Sequence, residues 1–464
     1  MPVFDFDEES FATDFRSCNV EDNDPLQEID GLEEEFEPPQ SYEVEDSGNF
    51  TQARNIHRRR SSVYSRLSIK SGGVGSYGGG SHSQGQGHSH GSYTNELKIP
   101  MNYDNSKHKS KKLLSDFKPL RVLGQGAYGK VYLVQDTSTG KLFAQKQLRK
   151  PTINITNQPE DFHAKHIART ISEREILTNI THHPNIVKLF YALQDHDKFY
   201  LILEYIPGGE LFHHLTSSKN SLGNVFKEDH VAFYAAQMAL ALKHLHELGI
   251  VYRDLKPENC LLNSFGNLVL TDFGLSKSIG EDQEDESCTS IIGTPEYMAP
   301  EVLKGEEYDF KVDWWSLGCV VYDMMSGKPP FTGNSHKAIQ DKIIKNKLKL
   351  PYYFTMDAKD ILNKLLNKNP EKRMSVDSQW ETFKQHRFFR KIDWKSLENQ
   401  QATPPLVPVI TDPSLAENFS EEFTGMKLSL NEGLDIPKTF NSANDEFKGF
   451  SYTASESFIS KYID

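Results

Sequence analysis

Apolar and polar residues begin to alternate at Phe117. The segment FKPLRVLGQGAYGKVYLVQD (117–136) reads as two strands joined by a glycine turn, and GKLFAQKQL (140–148) reads as a third strand. HIARTISEREILTNI (166–180) changes to helical spacing, with Ile167, Ile171, Ile176 and Ile180 near one face. KFYLILEYIP (198–207) predicts a buried strand, and DHVAFYAAQMALALKHLHELG (229–249) a long buried helix. A strand-rich part thus precedes a helix-rich part. After Phe389 the chain is again rich in proline and acid, with aromatics spaced too widely for a core of its own.

Residues 1–112 show no sustained apolar period. Ser71–Gly91 is nearly all Gly, Ser, His and Gln, which cannot bury enough surface to offset the entropy of ordering, so a disordered arm is expected. The overall hydrophobic share of 37% agrees with a chain that is only partly folded. The net charge of −13 conceals an asymmetry: residues 1–50 hold 17 acidic residues against Arg16 alone, while 51–112 hold 11 basic residues against Glu96 and Asp104. Opposite blocks of this kind read as interaction tails.

The four cysteines, Cys18, Cys260, Cys288 and Cys319, lie far apart and form no C-x-x-C pair, which argues against a disulfide framework or a zinc ribbon. No apolar run approaches 18 residues, and the acidic N-terminus is unlike a signal peptide. A soluble cytoplasmic monomer is expected, with the nucleus as a second compartment and without direct nucleic-acid binding.

Five motifs carry candidate chemistry. Gly124-Gln125-Gly126-Ala127-Tyr128-Gly129-Lys130-Val131 fits G-x-G-x-x-G-x-V, in which glycines let backbone N–H groups approach phosphates. A dinucleotide-binding turn shares G-x-G-x-x-G but opens a helix, whereas Val131–Val134 reads as a strand. Ala144-Gln145-Lys146 supplies an ammonium for the α- and β-phosphates, with Glu173 as the carboxylate that orients it. Tyr252-Arg253-Asp254-Leu255-Lys256-Pro257-Glu258-Asn259 fits H-R-D-x-x-x-x-N with Tyr252 in place of His, and Asp272-Phe273-Gly274 and Ala299-Pro300-Glu301 follow it. Each has a bland alternative as a turn, a surface charge or a capped loop. Five in this order and spacing do not arise by chance.

Together they mark a resemblance to the eukaryotic protein kinases over about 117–389, which implies a two-lobed α+β fold with a strand-rich N-lobe, a helical C-lobe, and ATP and Mg²⁺ in the cleft. On that resemblance Asp254 accepts the proton of the incoming hydroxyl, Lys256 reaches the γ-phosphate, and Asp272 and Asn259 hold Mg²⁺. Leu123, the glycine-loop residues, Glu204, Ile206 and Glu210 line the nucleotide site, and Glu301 pairs with Arg373. A pseudokinase scaffold is the competing class. It usually lacks one of the residues retained here as Lys146, Asp254, Asn259 and Asp272.

Tyr252, the run Gly293–Glu301 (GTPEYMAPE) and Val312–Gly318 (VDWWSLG) resemble the AGC group of serine/threonine kinases. Thr294 in that context implies Ser/Thr acceptors. The same resemblance makes residues 390–464 a regulatory tail, anchored by Pro405–Pro408 and Asn418–Thr424. It implies phosphosites at Ser290 in the activation loop, placed there by an upstream kinase, at Ser429, and at Ser451 within Phe447-Lys448-Gly449-Phe450-Ser451-Tyr452. A phosphate at Ser290 is expected to pair with Arg253 and Arg169. The run Glu281–Glu286 reads foremost as a solvated acidic turn.

Glu210, Glu258 and Asp323 align with positions that hold substrate arginine in basophilic relatives, so R-x-x-S/T or R-R-x-S sites are expected. Arg58-Arg59-Arg60-Ser61-Ser62 in the arm fits that preference, or else is a nuclear-import or polyanion-binding patch. LRVLGQGAYGKVY, EFT and SANDEFKGFSY are similar to the ribosomal S-six kinases, which implies basic ribosomal proteins as substrates. Phe4-Asp5-Phe6-Asp7-Glu8 fits the F-D-x-D/E-x signal that recruits such kinases to the TOR complex, although an acidic arm also yields such a pentapeptide by accident. Kinase B-like and serum-responsive branches are the alternatives; the first would carry a lipid-binding domain upstream.

Overall fold

The computed structural model describes residues 112–126, 129–150, 160–180, 183–214, 225–279, 288–428, 447 and 449–463. The arm with Phe4–Glu8 and Ser61-Ser62, the loop tip Ala127-Tyr128, the Glu281–Glu286 run and Ser429 lie outside these residues.

The alternating segment folds as a six-stranded antiparallel sheet in the order β1-β2-β3-β5-β4-β10. The strands are β1 Phe117–Gln125, β2 Gly129–Asp136, β3 Leu142–Arg149, β4 Leu189–Gln194, β5 Lys198–Glu204 and β10 Tyr452–Thr453. Alternation, interrupted by register shifts in β1 and β4, accounts for the two differently covered faces. Tyr132, Val134, Phe143, Phe190 and Tyr200 build one cluster, against which the tail residues Phe423, Met426, Phe458 and Ile459 pack. Leu148, Leu189, Phe199, Leu201 and Leu203 face the main core instead. The Glu160–Asn179 helix meets that second face through Ile176 and Leu177, both buried.

The helical part is built on the Glu228–Glu247 and Lys311–Ser326 helices, whose central residues are almost all buried. Trp314 and Trp315 are fully buried. Ser335 and Thr355 cap the His336–Lys345 and Met356–Leu365 helices by accepting from Ala338 N and Ala358 N. The lobe extends past Phe389: Trp394, on the Trp394–Glu398 helix, lies 5.5 Å from Trp380 and 5.4 Å from Phe389. Two small ribbons sit on this lobe, β6 Ile250–Val251 with β9 Lys277–Ser278, and β7 Cys260–Leu262 with β8 Leu268–Leu270. The loops between their strands carry Asp254 and Asp272.

The tail runs back over both lobes, and two glycines mark its path. A Cβ on Gly209 would lie 2.1 Å from the Asn418 carbonyl, and one on Gly266 would lie 1.9 Å from the Leu406 carbonyl. Both have positive φ, 66° and 91°, so the contact and the backbone each require glycine. The tail ends as β10, paired antiparallel with β4 (Tyr452 opposite Ala192), followed by the Glu456–Ile463 helix. The β10 strand and this helix were not anticipated from the sequence. Cys260, Cys288 and Cys319 are buried free thiols. Among the described residues no helix is long and apolar enough to cross a membrane.

Candidate active site

A cavity of about 290 Å³ opens between the sheet and the helical part. Its lining brings together Leu123, Gly124, Gln125, Gly126, Gly129, Lys130 and Val131 from β1, β2 and the turn between them, Lys146 and Glu173, and Glu204, Ile206 and Glu210 from the end of β5 and the segment after it. Lys256, Glu258, Asn259 and Asp272 complete it from below. Val131, Ala144 and Leu261 give it an apolar slot suited to a flat ring.

Register places Lys146 opposite Val131 and Leu201, in the middle of the sheet. Its Nζ lies 2.6 Å from Glu173 Oε1 and 2.9 Å from Asp272 Oδ1. Burial alone would lower the Lys146 ammonium, but the carboxylates of Asp272 and Glu173 outweigh it and push it up, so the lysine stays charged. The helix carrying Glu173 is tied to the tail by its next residue. Arg174 Nη2 donates to the Gly449 carbonyl at 2.6 Å, and Phe450 is buried 4.4 Å from Phe199. Phe447 lies 5.3 Å from the same ring, and Gln194 Nε2 donates to its carbonyl at 3.0 Å. Phe450→Ala is expected to cost about 3–5 kcal/mol of docking energy and to lower turnover partially. Peptide phosphorylation and hydrogen exchange at Tyr452–Ile463 check this; unchanged protection there would contradict it.

The catalytic loop is held in an uncommon backbone state. Arg253 has φ 64° and Asp272 φ 61°, both left-handed and costly for residues with a Cβ. Buried Asp313 holds the first of these, accepting from Tyr252 N through Oδ2 and from Arg253 N through Oδ1, each at 2.8 Å. Tyr252, in the place of the His of H-R-D, is buried; its ring lies 5.1 Å from Phe273 and its hydroxyl donates to the Thr271 carbonyl. The loops of Asp254 and Asp272 are thereby locked together.

Asp254 is buried, and its Oδ2 accepts from Lys256 Nζ at 2.7 Å and from Asn259 Nδ2 at 2.9 Å. Its Oδ1 is buried without a hydrogen-bond partner, the state expected of an oxygen awaiting an incoming hydroxyl. Burial raises the Asp254 carboxyl, Lys256 opposes that and Asp272 adds to it, giving about 6. The ionised form is the one that accepts a proton. Turnover is therefore expected to fall as pH drops through about 6 and to level off above it. A pH profile of kcat checks this, and a profile flat down to pH ~4, the ordinary Asp range, would contradict the assignment.

Asn259 uses Nδ2 for both its bonds to Asp254, to the side chain and at 2.8 Å to the backbone carbonyl, which leaves the amide oxygen for a cation. With the Asp272 carboxylate this makes a hard oxygen pair. Mg²⁺ takes one or two protein oxygens and completes its shell with phosphate and water, so the pair fits it. The ion would neutralise phosphate charge there.

Glu301 and Arg373 form the expected pair at 2.6 and 2.9 Å, fully buried. Thr294 leads into the Pro295–Tyr297 turn, and its carbonyl accepts from Tyr297 N at 3.0 Å. A Cβ on the preceding Gly293 would lie 3.2 Å from the Arg253 carbonyl, so this segment runs against the catalytic loop. Ser290 is exposed; its carbonyl accepts from Tyr308 Oη, which in turn accepts from Arg253 Nη1 at 3.3 Å. Arg169 lines the cleft. Ser451 is exposed beside β10.

Asp323 is 2% exposed and accepts from Tyr297 Oη at 2.7 Å, so its carboxylate supports the Pro295–Tyr297 turn. Glu258 lines the cleft, and its Oε2 is buried without a hydrogen-bond partner. Sequence reasoning missed Phe419 in the cleft wall, where its ring stacks 6.0 Å from Tyr205. The match of Asn418–Thr424 to a tail anchor was the available sign. It also missed Asp313, which sits in the VDWWSLG run quoted above.

Comparison with known proteins agrees with this geometry. The protein kinase domain model matches residues 117–389, and the protein kinase C terminal domain model matches residues 410–452. The chain is 48% identical over 407 residues to the Saccharomyces cerevisiae serine/threonine-protein kinase YPK3, covering 75% of this chain and 76% of that protein. It is 40% identical over 361 residues to a RAC family serine/threonine-protein kinase homolog of Dictyostelium discoideum, covering 78% and 77%. It is 41% identical over 340 residues to the Arabidopsis thaliana serine/threonine-protein kinase AtPK2/AtPK19, covering 73% and 68%. With the catalytic residues assembled around one ATP- and Mg²⁺-binding cleft, the chain belongs to the protein kinase family, as a serine/threonine kinase of the AGC type.

Proposed function

We propose that this kinase phosphorylates serine or threonine in arginine-bearing sites of the R-x-x-S/T or R-R-x-S kind. The buried, unpartnered Glu258 Oε2 at the cleft carries the reading, because a carboxylate so placed gains most from a guanidinium. Glu210 lines the same cleft. Glu258→Gln is expected to lower kcat/KM for arginine peptides at least roughly 30-fold and to leave peptides without arginine little changed. A positional-scanning peptide array with both proteins tests this; equal arginine preference would sink it.

Phosphates at Ser290 and Ser451, and at Ser429, turn the enzyme on in this scheme. The route from Ser290 through Tyr308 to Arg253 supports the first, and the docking of Phe447 and Phe450 beside the Glu173 helix supports the second. Ser290→Ala then loses more activity than Ser451→Ala; full activity in both variants rules the scheme out.

The branch we propose is the ribosomal S-six type, acting in the cytoplasm as a monomer on basic ribosomal proteins and recruited to the TOR complex through Phe4–Glu8. The motifs quoted above support it. The names YPK3 and RAC among the relatives fit the kinase B-like alternative and give no specific support to the S-six branch. Loss of Ser451 phosphorylation both under TOR inhibition and in the Phe4→Ala variant is the result this branch requires; phosphorylation indifferent to both favours the alternative.

A further inference from the structure

We propose that Asp377 is a positioning residue of the phosphotransfer site, acting through His246 on Asp313 and so on the catalytic loop. His246 Nε2 lies 2.9 Å from Asp313 Oδ2, and Nδ1 lies 2.8 Å from Asp377 Oδ1. The imidazole is 3% exposed and Asp313 fully buried. Its faces are covered by Phe310 at 4.8 Å and Trp314 at 5.1 Å.

The charge state follows from the donor count. A neutral imidazole has one N–H and one lone pair, and ionised carboxylates only accept. With a carboxylate against each nitrogen, both nitrogens donate only if the ring is a cation. Asp313, from the Lys311–Ser326 helix, and Asp377, ahead of the Trp380–Lys384 helix, are the charged groups acting on the ring. Burial would lower the His246 pKa, and these two carboxylates outweigh burial and push it up to about 9. Unfolded histidine titrates near 6.5, so this proton contributes stability that is complete below about 6.5 and lost as pH rises through about 9.

The consequence for chemistry runs through Asp313. Its carboxylate already holds the amides of Tyr252 and Arg253, keeping Arg253 left-handed one residue before Asp254. Without Asp377 the imidazole can serve Asp313 as a neutral N–H donor, and a buried carboxylate loses its counter-cation. Asp377 also accepts from Trp314 Nε1 at 2.7 Å, which fixes its orientation toward His246. Of the carboxylates around the catalytic loop, Asp377 touches neither the cleft nor the loop itself.

Asp377→Asn tests this, because the amide can still accept from Trp314. In the variant, kcat at pH ~8.5 is expected to fall about tenfold, the worth of one weakened charge-assisted hydrogen bond. The KM for ATP should stay near wild type, because the cleft walls are untouched. The deficit should shrink toward pH ~7, where the imidazole regains its proton more readily. Wild-type rates over the whole interval, or a deficit independent of pH, would overturn the proposal. Should the variant not fold, ¹⁵N-histidine spectra of the wild-type chain decide the matter. At least one of the 17 histidines should show imidazolium signals at pH ~8, well above the ordinary histidine range, and their absence would overturn it.

Discussion

Replacing Asp254 by Asn is expected to lower kcat about 10²- to 10⁴-fold with the KM for ATP almost unchanged. The substitution is nearly isosteric. The amide oxygen can take the place of Oδ2, accepting from Lys256 Nζ and Asn259 Nδ2, so the loop keeps its shape. What changes is the atom at the unpartnered position, where a carboxylate oxygen that can take a proton becomes an N–H group that cannot. The cleft lining that binds nucleotide is untouched. Steady-state kinetics on a serine peptide check the split between kcat and KM. Near-normal turnover would mean that another group serves as base.

The second large effect is on stability. Arg373→Leu removes one half of a fully buried bidentate pair and leaves the Glu301 carboxylate unpaired inside the helical lobe. Breaking such a pair from one side costs about 3–5 kcal/mol. Arg373 also donates to the carbonyls of Lys311 and Asn367, and its guanidinium covers the Trp315 ring at 5.2 Å, so the site loses packing as well. In a domain of this size 1 kcal/mol shifts the melting point by about 2–4 °C, so a drop on the order of 10 °C is expected. Pairing the change with Glu301→Leu should recover part of that drop, because no charge is then left stranded. A single variant melting with the wild type would contradict the account.

What could be read from the sequence was what is encoded locally. Alternation around Phe117–Asp136 fixes β1 and β2 because each strand needs only its own apolar face and a turn. The catalytic motifs are legible for a related reason: Asp254, Lys256 and Asn259 lie within six residues, so their spacing already implies their bonds. Contacts that depend on distant segments carry no such signature. The pair Tyr452–Thr453 is too short to show a period, and it becomes a strand only because β4 presents an open edge. Phe419 reaches the cleft from beyond the domain. His246 and Asp377 stand 131 positions apart, and nothing in either neighbourhood announces the other. Asp323 is a further case: its contact with Tyr297, 26 positions away, is visible only in the packing.

The tail therefore helps to build the site. Phe419 walls the cleft, Phe447 and Phe450 press on the sheet beside the Glu173 helix, and β10 completes the sheet. Lys146 and Glu173 thus depend on residues about three hundred positions away.

Transfer of labelled γ-phosphate from ATP to a serine peptide, by the wild-type chain in Mg²⁺, tests the central claim most directly. Phosphoserine that requires both Mg²⁺ and Asp254 is expected. Tight MgATP binding in the cleft with no phosphate reaching any hydroxyl peptide would contradict it, and would make the chain a kinase-shaped scaffold.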